Sequence, residues 1–339
     1  MNIIDLRSDT VTKPTPKMME AMFKAKLGDD VLEEDPTVKE LEKKTADLFG
    51  AEAGLFCPSG TMSNQIAIKL HTQPMSEVIC DKLSHIYNYE TGGIAFNSAA
   101  SVRTLNGDRG RFTATELLEN INPDNIHHPI SSLVCIENTT NKGGGAIWDF
   151  EEIKKIHAVC KINKLKFHLD GARIFNALAE TKTDTKEFGK IFDTISICFS
   201  KGLGAPVGSV LLGSNQEINR SKRIRKVLGG GMRQAGFLAA CGIYALDHHV
   251  ERIKTDHQNA KKLEHTIAKL PFITQLLPVE TNILVFDLDD SYPKEKFIEK
   301  LNKKKIKVIG FGKQTVRMVT HLDIDDKMID EVIKTLSLL

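Results

Sequence analysis

The sequence is short of several things, and each shortage removes a class of function. Net charge is almost absent, +2 over 339 residues, so no overall field draws the chain to nucleic acid or anionic lipid. No apolar run approaches the ~18 residues a membrane span needs. Charges interrupt the opening MNIIDLRSDT, where a secretory signal would be apolar. The expectation is a cytoplasmic protein with neither a membrane nor a nucleic-acid partner. The six cysteines form no CxxC, the nearest two, Cys57 and Cys80, being 23 residues apart, which argues against a zinc ribbon or redox pair. Each sits among apolar neighbours, as free buried thiols of reducing compartments do. A dinucleotide loop is missing too, because GLGAPV (202–207) and GGGMRQ (229–234) both depart from GxGxxG at the last position. There is no internal repeat and no low-complexity segment.

What is present is an ordinary globular composition, 41% hydrophobic and 27% charged, at a length that fits about two domains. Short apolar runs alternate with amphipathic stretches: AGLFC (53–57), SEVIC (76–80), SSLVCIE (131–137), LKFHLD (165–170), TISICFS (194–200) and SVLLG (209–213) read as buried strands. TMSNQIAIKL (61–70) and DFEEIKKIHAVCKI (149–162) read as helices. That alternation predicts an α/β domain with a mostly parallel sheet covered on both faces. Residues 232–270 are helical for too long to be one ordinary helix, so a pair or a domain-linking spine is expected, broken at Pro271. Beyond it NILVFDL (282–288), a helix near 293–303, KIKVIG (305–310), TVRMVT (315–320) and a last helix from about Asp325 predict a small α+β domain. The expected division is 1–250 and 251–339.

Three places carry chemistry. In TISICFSKGLGAPVGSVLLG an apolar strand ends at Lys201, ahead of a glycine-rich loop. An ammonium at the carboxyl end of a buried strand costs free energy unless it has a partner or a covalent role, and a Schiff-base lysine fits, although a lysine snorkelling to solvent reads the same in isolation. LKFHLDGARIF places Asp170 at another strand end, 31 residues before Lys201. Ligand crevices in such sheets lie outside the carboxyl ends of the strands. A lysine and an aspartate facing one crevice are what pyridoxal 5′-phosphate (PLP) requires: the lysine holds the aldehyde, the aspartate keeps the ring nitrogen protonated. Taken alone, Asp170 could equally be a helix cap. CPSGTMSNQIAIKL sets Ser59, Gly60 and Thr61 at a strand-to-helix junction, where free amides and the helix dipole suit a phosphate, though an ordinary N-cap looks alike.

With these features in this order the sequence resembles the L-threonine aldolases (low-specificity and allo-threonine types) of the β-eliminating lyase group, PLP enzymes of fold type I. The resemblance runs through DLRSDTVTKPT (5–15), GDDVLEEDPT (28–37), FCPSGTMSNQ (56–65), SHIYNYE (84–90), IENTTN (136–141), HLDGARIFNA (168–177), FSKGLGAPVGSV (199–210), LGGGMRQAG (228–236) and VRMVTH (316–321). It implies a seven-stranded, mostly parallel sheet and a homotetramer. It also implies that residues 1–16 contribute to the active site. Lys201 then becomes the Schiff-base lysine, Asp170 the partner of the pyridinium nitrogen, and Arg173 a neighbour of the phenolic oxygen or the substrate carboxylate. Ser59, Gly60 and Thr61 hold the phosphate, with Arg233 as basic helper from the same or a neighbouring subunit. His85 stacks on the ring, and Ser8 and Arg317 bind the α-carboxylate of an amino-acid substrate.

The implied reaction is retro-aldol cleavage of a β-hydroxy-α-amino acid to glycine and an aldehyde, with His85 and His127 as candidates for the base on the β-hydroxyl. A β-elimination lyase or aminotransferase on the same lysine and aspartate is the first alternative, and a non-catalytic PLP-binding protein the second. His127 and His128 point in opposite directions on an extended segment, so no metal site is expected from them. His157, His248, His249 and His257 receive no role. The family's usual tyrosine and glycine after GDDV are Leu32 and Glu33 here, the histidine of ENTHN is Thr140, and His128 stands where an aromatic is usual. The resemblance implies that none of these four is a cofactor residue and that the departures at Leu32–Glu33 and Thr140 alter the pocket around the β-substituent.

Overall fold

The computed structural model describes residues 3–339, so the first two residues of the expected 1–250 domain lie outside it. A two-residue strand, β1 (Ile4–Asp5), opens the chain. Seven strands then form the large sheet: β2 (Ala53–Cys57), β3 (Ser76–Asp81), β4 (Ser101–Leu105), β5 (Ile130–Glu137), β6 (Lys166–Gly171), β7 (Thr194–Cys198) and β8 (Ser209–Gly213). Their spatial order is β2-β8-β7-β6-β5-β3-β4, and only β8 runs against the others. The mostly parallel seven-stranded sheet is therefore as expected. Every residue of β3, β7 and β8 is buried, as the continuous apolar runs require of strands covered on both faces. The strand of this sheet not expected from the sequence is β4, whose run SVRTL lies only partly buried at the sheet edge and shows no continuous apolar run.

One consequence of this order governs the site. Cys57, Asp81, Glu137, Asp170 and Cys198, at or near the carboxyl ends of β2, β3, β5, β6 and β7, all fall on one edge of the sheet, where β8 begins at Ser209. The segments that follow those ends converge there because the strands are parallel.

The second unit is a four-stranded antiparallel sheet in the order β12-β13-β10-β9, from β9 (Ile273–Leu276), β10 (Ile283–Leu288), β12 (Ile309–Gly310) and β13 (Thr315–Val319). The stretch KIKVIG, expected as one strand, divides at the buried Val308. β11 (Ile306–Lys307) pairs in parallel with β1, and β12 turns to β13 instead. The long helical stretch is a pair, Gly236–His248 and Ile253–Ile267, and the expected helices near 293 and 325 span Lys294–Lys303 and Asp326–Leu336. Ile4 and Leu6 join the core of this C-terminal unit with Leu263, Phe286, Phe297, Ile306 and Met318. Burying each such side chain contributes about 1.5–3 kcal/mol, which is what pins the chain's beginning to its end. All six cysteines are free and buried. No helix among the described residues is long and apolar enough to cross a membrane.

Candidate active site

Asp170, 3% exposed near the end of β6, is the centre of a buried polar network. Its Oδ2 accepts from Asn64 Nδ2 at 2.9 Å and its Oδ1 from the Ala172 amide at 3.1 Å. The other proton of the Asn64 amide goes to Glu90 Oε1 at 3.0 Å. Both amide protons being used, Asn64 Oδ1 must accept, so His168 carries its proton on Nε2, 3.2 Å away. His168 Nδ1 lies 2.9 Å from the Thr194 hydroxyl and 3.1 Å from the Thr194 carbonyl, and that hydroxyl is 3.1 Å from His71 Nε2. Burial holds both imidazoles neutral, at about 4 for His71 and about 4 for His168. Asn64, donating to both carboxylates, keeps Asp170 an acceptor.

His85 caps the same edge. Its Nδ1 lies 3.0 Å from Glu90 Oε1, whose other oxygen accepts from Gln65 Nε2 at 2.6 Å. Burial would lower the His85 pKa, but the bond to Glu90 and the charges of Asp170, Glu137 and Glu90 raise it above the usual value. Donor atoms of His85, Glu90 and Asp170 lie within 4.8 Å of one another, here tied together through Asn64.

Lys201 follows the end of β7, the strand that pairs in parallel with β6, where Asp170 stands opposite Ser196. Its carbonyl accepts from the Thr12 hydroxyl at 2.9 Å and from the Gly204 amide at 2.8 Å, which closes the loop. His249, given no role by the sequence reading, contributes there with Nδ1 2.7 Å from the Leu203 carbonyl. Ser59 caps the Gly60–His71 helix by accepting from the Met62 amide at 3.1 Å. A Cβ on Gly60 would stand 3.5 Å from Ser209 Oγ and 3.9 Å from the Cys198 side chain, so this helix terminus crosses the ends of β7 and β8. Ser209 Oγ is buried without a hydrogen-bond partner.

The remaining residues come from the two ends of the chain. Asp9 grips Arg173 in a fork, 2.7 Å to Nε and 2.6 Å to Nη2, with both side chains buried. Burial pushes Asp9 up, yet the Arg173 guanidinium, helped by the Lys201 and His321 charges, overrides it and holds Asp9 at about 2. Ser8 accepts from the Thr10 amide and hydroxyl. Arg317 on β13 donates to Asn141 Oδ1 at 2.8 Å and to the Arg7 carbonyl at 3.0 Å, with its guanidinium 4.7 Å from the centre of the Phe311 ring. Its Nε is buried without a partner. Burial and the like charge of Arg173 lower Arg317 to about 10.

The structure thus brings Ser59, Gly60, Thr61, His85, Asp170, Arg173, Lys201, Ser8 and Arg317 to one edge of the sheet. Arg233 and His127 stand apart from them: Arg233 is 57% exposed and pairs with Asp29 at 2.8 Å, and His127 lies exposed on a turn held by Asn125. Leu32 is exposed as well, and Glu33 takes the left-handed conformation (φ 58°) that explains a glycine preference there. Thr140 is buried in a bridge with Ala146. Asp9, Asn64, Glu90, Asn141 and His168 were not anticipated. Only the closeness of Asn64 to SGT and of Glu90 to His85 in sequence could have pointed to any of them.

A family model described as "Beta-eliminating lyase" matches residues 5–291. A probable low-specificity L-threonine aldolase 2 from Arabidopsis thaliana is 39% identical over 97% of this chain and 95% of its own length. The low specificity L-threonine aldolase of Escherichia coli (strain K12) is 38% identical over 97% of both chains. Among solved structures, a threonine aldolase from Leishmania major superposes with a TM-score of 0.86 at 22% identity over 99% of both chains. The chain belongs to the beta-eliminating lyase family.

Proposed function

We propose that this family member is a PLP-dependent aldolase that cleaves threonine, allo-threonine and related β-hydroxy-α-amino acids to glycine and an aldehyde. The observation that carries this reading is Arg317. A buried guanidinium whose hydrogen bonds among the described residues go only to neutral oxygens, with Nε unpartnered there, has its affinity for a carboxylate unspent.

The residues fit the cofactor. Ser59, Gly60 and Thr61, with the unpartnered Ser209 hydroxyl beside them, would hold the phosphate, and Arg233 would add charge from a neighbouring subunit. Asp170, kept an acceptor by Asn64, would face the ring nitrogen, His85 the ring, and Lys201 the aldehyde. PLP, when bound, supplies an electron sink for the pair released as Cα–Cβ breaks. The protein's own tasks are then to orient and to move a proton. Arg317 and Ser8 hold the α-carboxylate. Arg173, with Nε and Nη2 taken by Asp9, has Nη1 left for the phenolic oxygen or that carboxylate. His85 takes the β-hydroxyl proton, directly or through water, and His127, exposed and apart from the site in this chain, would do so from a neighbouring subunit.

The same reading divides the chain at 250/251, with the first 16 residues serving the active site, and makes the protein a cytoplasmic homotetramer. Exposed Phe23, Leu27, Leu32 and Val227 supply apolar surface for such an assembly. Incubation with threonine, allo-threonine, serine and phenylserine tests the activity. Glycine with the matching aldehyde is expected; pyruvate or a keto acid as main product would replace the aldolase with an elimination or transamination enzyme, and no turnover would leave a binding protein.

A further inference from the structure

One buried carboxylate at the functional edge has no task in the reaction above. Glu137, the last residue of β5, is 4% exposed and makes no ion pair among the described residues. Its two oxygens accept from backbone amides of two separate segments: Oε2 from His85 at 2.9 Å, and Oε1 from Asn141 at 2.9 Å. Each amide leads to a different half of the site. His85 faces the cofactor side, and Asn141 Oδ1 accepts from Arg317 Nη1 at 2.8 Å.

We propose that Glu137 is a positioning residue for both halves at once: its ionised carboxylate holds His85 on one side and, through Asn141, aims Arg317 at the substrate carboxylate on the other. What the two arms bind rests on the function proposed above; the arrangement of the arms does not.

The chemistry explains why this residue is a glutamate. A backbone N–H can only donate, so two of them facing one side chain demand two acceptor atoms on it. A carboxylate has both. Glutamine has one oxygen and turns an amide N–H against the other donor, and a protonated glutamic acid has the same defect. The charge is costly here. Burial and the neighbouring Asp170 carboxylate push Glu137 up to about 7, against the pull of the Asn141 and His85 amides and of the His85 ring. Facing it from the packed elements are Asp170 on β6, Arg173 beyond it, His85 and Tyr89 after β3, and Cys80 on β3. Because the folded pKa is raised, the ionised, two-armed form prevails above about pH 7 and one arm is released below it. The grip on a carboxylate ligand therefore weakens as pH falls through neutrality.

The test uses the full-length holoprotein and glycine, whose binding is followed by the cofactor's visible spectrum and needs no bond cleavage. For Glu137→Gln at about pH 8.5 the glycine dissociation constant should rise about tenfold or more, the loss of one charge-assisted hydrogen bond. The need to deprotonate glycine's own ammonium weakens binding equally in both proteins as pH falls, so between about pH 8 and pH 6 the wild type should weaken more than the variant, the excess being the part that Glu137 supplies. Trp148, the protein's single tryptophan, donates its indole N–H to the Glu137 carbonyl at 2.9 Å. Its emission should titrate near pH 7 in the wild type and not in Glu137→Gln. Glu137→Asp, which keeps the charge, should retain the pH dependence, and where Glu137→Gln does not fold Asn141→Ala takes its place. Asn141→Ala should weaken glycine while leaving the spectrum of the unliganded holoprotein unchanged. A glycine affinity within about twofold of wild type in Glu137→Gln, with the same pH dependence, would overturn the proposal. A wild-type protein that binds glycine but splits no β-hydroxy amino acid would overturn the aldolase reading and leave this one standing.

Discussion

The two halves of the site are built by opposite means. The cofactor half, with Ser59–Thr61, Asp170 and Lys201, stands on the ends of parallel strands of one sheet, each element delivering its residue within a few positions of a strand end. The substrate half, with Ser8, Asp9 and Arg317, is drawn from separate segments, Arg317 from β13 of the small sheet and Ser8 and Asp9 from the turn after β1. It exists where the chain's first residues lie against its last: the Val319 amide donates to the Leu6 carbonyl, Arg317 to the Arg7 carbonyl, and His321 Nε2 lies 2.7 Å from the Asp5 carbonyl. A framework of paired strands tolerates the loss of one side chain. A seam made of single contacts does not, so the two halves should fail differently.

Lys201→Ala should have the largest effect, a fall of ~10⁴-fold in kcat, with the visible absorbance of the bound cofactor altered and the far-ultraviolet dichroism unchanged. A variant that stays yellow and active would remove Lys201 from the cofactor half. Next comes Asp9→Asn, which leaves the buried Arg173 charge without its counter-ion; unfolding in urea should come earlier by about 3–5 kcal/mol. A loss under about 1 kcal/mol would mean that this pair does not secure the seam. Arg317→Ala should raise KM about 10- to 100-fold with the cofactor spectrum intact, and equal kinetics would erase the contrast between the halves.

Acid should reach the seam in a predictable window. Asp9 is held at about 2 against an ordinary 3.8, a depressed pKa, so its contribution is complete above about pH 3.8 and is lost as pH falls to about 2. The amount is about 2 kcal/mol, and Asp9→Asn should show no such step in a stability profile over that window. Thr12→Val, which removes one hydroxyl contact to the Lys201 carbonyl between the halves, should cost only about 0.5–1.5 kcal/mol. A larger drop would make the N-terminal segment part of the cofactor half rather than its neighbour.

The same division separates what was legible in the sequence from what was not. Asp170 and Lys201 could be found because an apolar run that stops at a charged residue marks a strand end, and parallel strands bring such ends to one edge. Asn64, His168 and Asp9 could not. A polar residue inside a helix or strand reads as a surface position until its partner is known, and the partners are 106, 26 and 164 residues away. β4 and β9 escaped for a related reason, since strands only partly buried need no apolar pattern. KIKVIG read as one strand because nothing in its composition records that β11 and β12 pair in different sheets.

The order of apolar and polar residues along this chain was enough to mark six of the seven strands of the large sheet and the groups at its edge, because period and strand-end chemistry are local properties. Where Arg317 meets Asn141, where Asp9 meets Arg173, and where Asn64 meets Asp170 were decided only when distant segments packed. A hydrogen bond between residues over a hundred positions apart has no local signature; its geometry is set by the burial of other side chains, such as Ile4 and Leu6 against Phe286 and Ile306.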